Sequence, residues 1–426
     1  MRRSVRLLAA FSLLALPALA AAADEAGPWS SRGELGLESR AFRNDHDPVT
    51  KDYALGMLGR LELRYERGPF AGKARGSGRL DGFDRQRTTL IDEEAWLQAQ
   101  GERFRLRLGV DVVNWTALEA FHPADVINAR NLDSDLENFE RIGEPMAALQ
   151  ARVFEQTTVS ALLMPVHVTS RLPSPRSRLN FAPPGVDLRG RPKLIDRRGR
   201  LTASHFGPQA ALQVRQVVGS ADVSLHLLEH MDRLHPVLLI DAATMSPVLL
   251  YQTVRQAGGT YQQVFGPVIV KAEGAYRWFV PAGAAATDVG PLPRRNHGIV
   301  AGGLEYGIGH RNGSQSTILL EGQALLGVDG PTRRALEIFQ RDLFVGLRFA
   351  RNDDAAREGM LAAVIDLESP GEMVLDARYQ QRVGETWTVK TGLRIFAAKA
   401  VPPLEARGLQ LLRNGDHVYL DVTRHF

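Results

Sequence analysis

From Tyr53 to Tyr65 the chain sets an apolar side chain at every second position, with Leu55, Met57, Leu61, Leu63 and Tyr65 on one face and Arg60, Glu62 and Arg64 on the other. Period two is the mark of a strand, because successive side chains leave a pleated backbone on opposite sides. The pattern returns at Phe104 to Val112, where Phe104, Leu106, Leu108, Val110 and Val112 alternate with Arg103, Arg105, Arg107 and Asp111. Later copies are Val268 to Trp278 with Lys271, Glu273 and Arg277 on the polar side, Ile318 to Leu326 with Glu321 and Gln323, Leu343 to Phe349, and Trp387 to Ile395 with Lys390 and Arg394. A sheet face that carries several guanidinium groups needs water or acid partners, while its other face is a continuous apolar strip.

A soluble sandwich also alternates, so further features have to decide what lies outside. These strands are long for a sandwich, their polar faces are charged, and aromatics collect at their ends. The chain stops in a strand with Val418, Leu420 and Val422 on one face and Phe426 as its last residue. A terminal aromatic closing an alternating strand resembles the assembly signal of bacterial outer-membrane barrels, although Arg424 interrupts the apolar face two residues earlier. The expected fold is an all-β transmembrane antiparallel barrel of about 16 strands, within 14–18, since single-chain bacterial barrels have even strand numbers. Such a barrel is too wide to be filled by its own side chains and must hold water or a folded-in loop.

Residues 1–23 read as a secretory signal, with Arg2, Arg3 and Arg6 before the apolar stretch from Leu7 to Leu19 and an alanine run from Ala20 to Ala23. Three arginines and no acid leave with that segment, so the formal charge falls from +4 to +1 and nucleic acid is not implied as a partner. Past the signal, no apolar run reaches the ~18 residues of a membrane helix. The chain contains no cysteine, which excludes disulfides, thiolate catalysis and zinc–sulfur sites. No composition shift divides residues 24–426, so a single domain is expected.

Two stretches break the alternation, and function is sought there. In the first, residues 113–146, Gly109, Trp115, Phe121, Pro123, Asp125, Asn128, Arg130 and Asp133 follow a strand–glycine–tryptophan–FxPxDVxNxR order. This resembles a widespread proteobacterial family of porin-like barrels of unknown function, the domain called DUF1302. Val110-Asp111 and Thr116 stand where that family usually has Arg-Gln and Gly, which places the chain on a divergent branch. The resemblance implies traffic of hydrophobic cargo and an inner-membrane exporter as partner. Read on its own, Pro123 to Leu132 has helical spacing, and the expectation is a short helix in or over the lumen that narrows the pore through Trp115, Asp125, Asn128, Arg130 and Asp133. Asp133, Asp135, Glu137 and Glu140 read as an acidic face rather than a calcium loop, whose central Gly they lack.

The second stretch, 165–207, is a basic loop in which Arg171, Arg176, Arg178, Arg189, Arg191, Lys193, Arg197, Arg198 and Arg200 face only Asp187 and Asp196. At an outer rim it would dock on lipopolysaccharide phosphates; folded inward it would attract anions. A smaller loop is expected at Pro281 to His297. Chemistry for turnover is thin: His310, Asn312 and Ser314 lack the order of a membrane lipase, and His226, His230 and His235 would need a folded-back loop to meet on a metal. Asp45, His46 and Asp47 are adjacent in a turn and point in different directions. No catalytic residue, cofactor or metal is expected. The reading is a passive outer-membrane channel or an exit duct paired with an inner-membrane exporter, inserted by the barrel assembly machinery among outer-membrane lipid and lipopolysaccharide. The competing classes are a lipid-acting outer-membrane enzyme and a non-conducting structural or binding barrel.

Overall fold

The computed structural model describes residues 27–43, 47–134, 140–182, 187–189, 192–234, 236–240, 247–283, 295–402 and 405–426. The signal and its cleavage point, Asp45 and His46, Asp135 and Glu137, Arg191, His235 and most of the Pro281 to His297 loop lie outside the described residues.

The alternating segments become β1 (Trp29–Phe42), β2 (Tyr53–Arg67), β3 (Phe70–Asp81), β4 (Thr89–Gln100), β5 (Phe104–Asp111) and β6 (Glu144–Phe154). These are followed by β7 (Thr157–Val166), β8 (Phe206–Val218), β9 (Ala221–Met231), β10 (Pro247–Phe265), β11 (Val268–Phe279) and β12 (His297–Gly309). The last six are β13 (Gln315–Leu326), β14 (Arg341–Ala350), β15 (Glu358–Asp366), β16 (Met373–Val383), β17 (Trp387–Ala397) and β18 (His417–His425). Each pairs antiparallel with its neighbour, and β18 returns to β1 from Glu34↔His425 to Phe42↔His417. The result is a closed barrel of eighteen strands, at the top of the expected range. Pairing of β18 with β1 leaves no free terminal strand, which is the condition for a sheet to stand in hydrocarbon.

Alternation decides which side chain goes where. Leu37, Leu55, Met57, Leu63, Leu97, Leu106 and Leu108 are exposed on the outer surface. Their sequence neighbours Glu38, Glu62, Arg64, Arg105 and Arg107 point inward, where Glu38 meets Arg79, Glu62 meets Arg64 and Lys73, Arg105 meets Gln150 and Arg107 meets Asp111. Aromatics gather near the strand ends, as when Trp29 and Tyr65 meet with ring centroids 4.8 Å apart. Arg424 lies over the Trp387 ring at 5.9 Å, so the break in the terminal apolar face falls in this aromatic belt. At one end the strands turn tightly, at 68–69, 155–156, 219–220 and 266–267, where Gly68, Gly219 and Gly266 adopt positive φ. The long connections, including 112–143 and 167–205, all emerge at the other end.

One expectation fails here. Pro123 to Leu132 is not helical; the segment is irregular apart from a small hairpin of Ala129–Asn131 against Glu140–Ile142. Within it the Ala124 N–H goes to Glu273 of the barrel wall, the Arg130 N–H to Ser170 Oγ and the Leu132 N–H to the Arg171 carbonyl, which replaces the i to i−4 ladder that a helix needs. The described α-helix, Gly330–Leu336, sits instead between β13 and β14, capped by Asp329.

Candidate functional site

The connection from β5 to β6 turns into the barrel and crosses it. Trp115, Val126 and Ile127 pack with Met146, Leu162, Met164, Ala211 and Leu228, which line the inner faces of β6 to β9. Leu118 and Phe121 pack on the far wall with Ala301, Leu319, Phe344 and Met360 of β12 to β15. Between these apolar ends two wall carboxylates grip the backbone. Glu273 of β11 accepts from Thr116 Oγ1 at 2.6 Å, from the N–H of Leu118 at 2.9 Å and Ala124 at 3.2 Å, and from the N–H of Ala117. Glu321 of β13 accepts from the N–H of Glu119 at 2.7 Å and of Ala120 at 2.9 Å. Bonds to an ionised acceptor are roughly twice as strong as neutral ones, so these two side chains fix the crossing strap. Gly303 makes room for the contact, since a Cβ there would come within 2.6 Å of the Glu321 side chain and 3.1 Å of Leu118.

The residues expected to line a constriction lie within the crossing strap or against it, bonded to one another. Asp125 is buried and paired with Arg130 and Arg141, each at 2.6 Å. Burial by itself would raise the Asp125 carboxyl, but the two guanidinium groups outweigh it and hold it below its ordinary value. Asn128 accepts from Val113 N–H at 2.8 Å and donates to the carbonyls of Asp111 and Ile142 at 3.0 and 3.1 Å, clamping both ends of the crossing. Asp133 is paired with Arg87 at 3.1 Å, and Trp115 is buried with its ring 5.2 Å from His226. Glu140 is ion-paired to Arg60 at 3.2 Å, so the acidic run is internal rather than a solvated face where it is described. Gly109, at φ +135, lies where a Cβ would meet the Ala95 carbonyl of β4 at 2.2 Å.

The groups left facing open space were not singled out by sequence reasoning. Glu119 is exposed on the strap and reaches Arg348 at 3.1 Å and Lys271 at 3.7 Å. Asn114 is exposed and accepts from Arg141 at 3.3 Å. Opposite them is a charged wall in which Arg60 bridges Glu34 and Glu93, while Arg75 and Lys73 meet Glu94. A bulge between Arg75 and Gly76 against β4 lets the consecutive Glu93 and Glu94 both enter this network. Arg105 and Arg107 face inward as expected; Arg107 stacks on Trp96 at 3.9 Å and pairs with Asp111 at 2.7 Å. Arg103 lies in the tight turn before β5 and is exposed, at the opposite end of β5 from the crossing strap.

The anchor on the first wall did leave a trace in sequence. Ala161 to Val166 is apolar on both faces, which a strand facing water inside would not tolerate, and Leu162 and Met164 are the inward residues that receive Trp115.

The basic stretch folds over the long-loop end. Arg171 exchanges backbone bonds with Arg130 and Leu132, joining the two insertions, and its guanidinium reaches the Gln86 carbonyl at 2.9 Å. Arg178 is buried and paired with Asp52, whereas Arg176 is exposed. Leu179 packs with Phe396 and Leu412, so the stretch leans on β17 across the barrel mouth. Short pieces at Lys193–Ile195 and Leu201–Thr202 pair with each other, and the first runs parallel to Leu250–Gln252.

His310 Nε2 lies 2.8 Å from Ser316 Oγ, while Ser314 bonds Asn312 at 2.7 Å, so His310 and Ser314 are not paired with each other. His226 meets Gln256 and His230 meets Arg233; among the described residues no three metal-ligating side chains gather.

No protein-family profile matches the chain, and no curated protein matches it in sequence. In fold it is similar to a BenF-like porin from Pseudomonas fluorescens Pf-5, at 9% identity and TM-score 0.52, covering 94% of this chain and 98% of that one. It is similar in the same way to Acinetobacter baumannii OccAB1, at 9% identity and TM-score 0.52, covering 93% and 95%. At these identities the likeness speaks to the barrel itself.

Proposed function

We propose that the protein is an outer-membrane channel for small solutes, with the segment from Val112 to Gly143 as its constriction. The observation that carries this reading is the strap tied to both inner walls: an eighteen-strand barrel is too wide to select, and this strap divides its lumen. The apolar outer surface and the aromatic belt support placement in the outer membrane, reached through the 1–23 signal and the barrel assembly machinery. In this reading lipopolysaccharide surrounds the long-loop end, where Arg176 is available to phosphates. The resemblance to DUF1302-type barrels and a pairing with an inner-membrane exporter remain proposals that rest on the 109–133 motif. The test is single-channel recording of the purified protein in planar bilayers. Discrete current steps are expected, and a barrel that inserts but never conducts would overturn the proposal.

A further inference from the structure

The barrel wall is incomplete at one place. Pairing of β4 with β5 runs only from Ala95↔Val110 to Gln100↔Arg105. The stretch Thr89 to Glu94 is paired to β3 on its other side, but on this one it has no laddered partner among the described residues, only the short Glu140–Ile142 segment lying beside it. A long N–H bond from Gly143 to the Asp92 carbonyl, at 3.4 Å, is what spans there. Leu90, 83% exposed, and Leu80, 48% exposed, border the notch on the outer face, with the exposed Asp92 beside them. Registers Gly59↔Gly78 and Gly78↔Leu90 carry that level to the middle of β2, between its terminal Tyr53 and Tyr65.

A cavity of about 620 Å³ opens through this notch, inside the roughly 300–1,000 Å³ range of ligand sites. Leu90, Val110 and Pro145 line it from the barrel strands, and Ile142, Leu188 and Leu249 from the insertions and the first residues of β10. Arg171 and Arg189 stand at its polar end, both bonded to Gln86, at 2.9 and 2.8 Å, and Arg189 is also paired with Asp187 at 2.6 Å, so Arg171 carries the larger share of the charge open to an anion. Burial, and then repulsion from Arg79, Arg189 and Arg87 against the attraction of Asp133, lowers the Arg171 guanidinium, so an anion beside it would be welcome. An apolar slot open to hydrocarbon with two guanidinium groups at one end has the chemistry of a carboxylate on an apolar chain.

We propose that this notch is a lateral portal, through which an amphipathic carboxylate passes between the outer-leaflet hydrocarbon and the lumen, its chain in the Leu188 and Leu249 slot and its head on Arg171 and Arg189. The portal rests on the channel reading for its inner end, and it adds a substrate class and a second route. An edge that offers only one long bond can admit a chain without breaking a ladder.

The chain has no cysteine, which allows an accessibility test on the full-length protein in lipid vesicles. A long-chain alkyl maleimide, dissolved only in the bilayer, should label Ile142→Cys at a rate within about threefold of Leu90→Cys. Ser160→Cys, inward-facing on β7, should react at least tenfold more slowly. Equal rates at Ile142→Cys and Ser160→Cys would overturn the portal. In the same vesicles, Arg171→Gln with Arg189→Gln should weaken binding of dansyl-undecanoate about tenfold and leave its neutral amide unchanged; equal loss for both would overturn the carboxylate assignment. Gel mobility of unboiled samples verifies folding of every variant. Current recording separates the two readings: labelling without conductance removes the channel and keeps the portal, and conductance without labelling does the reverse.

Discussion

Replacing Glu273 with Gln tests the strap directly, because it keeps shape and removes charge. Four donors converge on this carboxylate: Thr116 Oγ1 and the N–H groups of Ala117, Leu118 and Ala124. A hydrogen bond to a charged acceptor contributes about 1.5–3 kcal/mol and a neutral one about 0.5–1.5, so each bond loses about 1 kcal/mol. The amide also presents an NH₂ to one set of N–H donors, which leaves Ala124 or the 116–118 group without an acceptor. Allowing for non-additivity, the strap should lose about 2–4 kcal/mol of docking energy, raising its undocked population by roughly thirty- to several-hundredfold. The apolar ends at Trp115 and Phe121 and the Glu321 grip remain, so the barrel stays folded. Hydrogen exchange read by mass spectrometry should show faster exchange over 114–124 and unchanged protection in the strands, and single-channel traces should flicker toward larger conductance. Protection over 114–124 equal to that of the parent protein would refute the assignment of Glu273 as an anchor.

Acid should loosen the same strap. Burial lowers His122 from 6.5 to about 4, so the unfolded segment binds more protons between those values and docking stability, complete above pH 6.5, is lost as pH falls toward 4. The depressed Asp125 carboxyl, complete in its contribution above its ordinary 3.8, extends the loss below that pH; His122→Asn should flatten the upper window in exchange measured against pH. At the seam, Phe426 exchanges backbone bonds with Gly33 at 2.8 and 3.0 Å, and its ring lies 2.2 Å from where a Gly33 Cβ would stand. Deleting Phe426 leaves unpaired groups in lipid at a cost of several kcal/mol each, and Gly33→Val should displace the ring, so both should reduce the fast-migrating band of unboiled samples. An undiminished band from the Phe426 deletion would remove the seam from the account. Finally, Glu119→Lys should move the reversal potential in a salt gradient toward anions and Arg176→Glu toward cations, more strongly at low ionic strength. An Arg176→Glu channel with unchanged selectivity would place that side chain outside the current path.

Period-two alternation, together with long strands and charged polar faces, determined the barrel, because on a pleated strand the same pattern that sets an apolar strip outward also sets Arg60, Glu62 and Arg107 inward, and each strand carries this information locally. The terminal strand and its Phe426 were legible for the same reason, as was the break in pattern at 113–146. What that break becomes was not legible. Helical spacing at Pro123 to Leu132 lost to Glu273, about 150 positions further along and locally an ordinary polar-face position, and to Ser170 and Arg171 of the second insertion. The motif residues Asp125, Asn128 and Arg130 looked like pore lining because they are polar, yet they are buried in one another's company. Which polar groups satisfy each other across a lumen, and which are left facing water as Glu119 is, depends on barrel closure bringing distant strands around one segment. No local periodicity encodes that meeting; it is decided only when eighteen strands have fixed the diameter that the strap must cross.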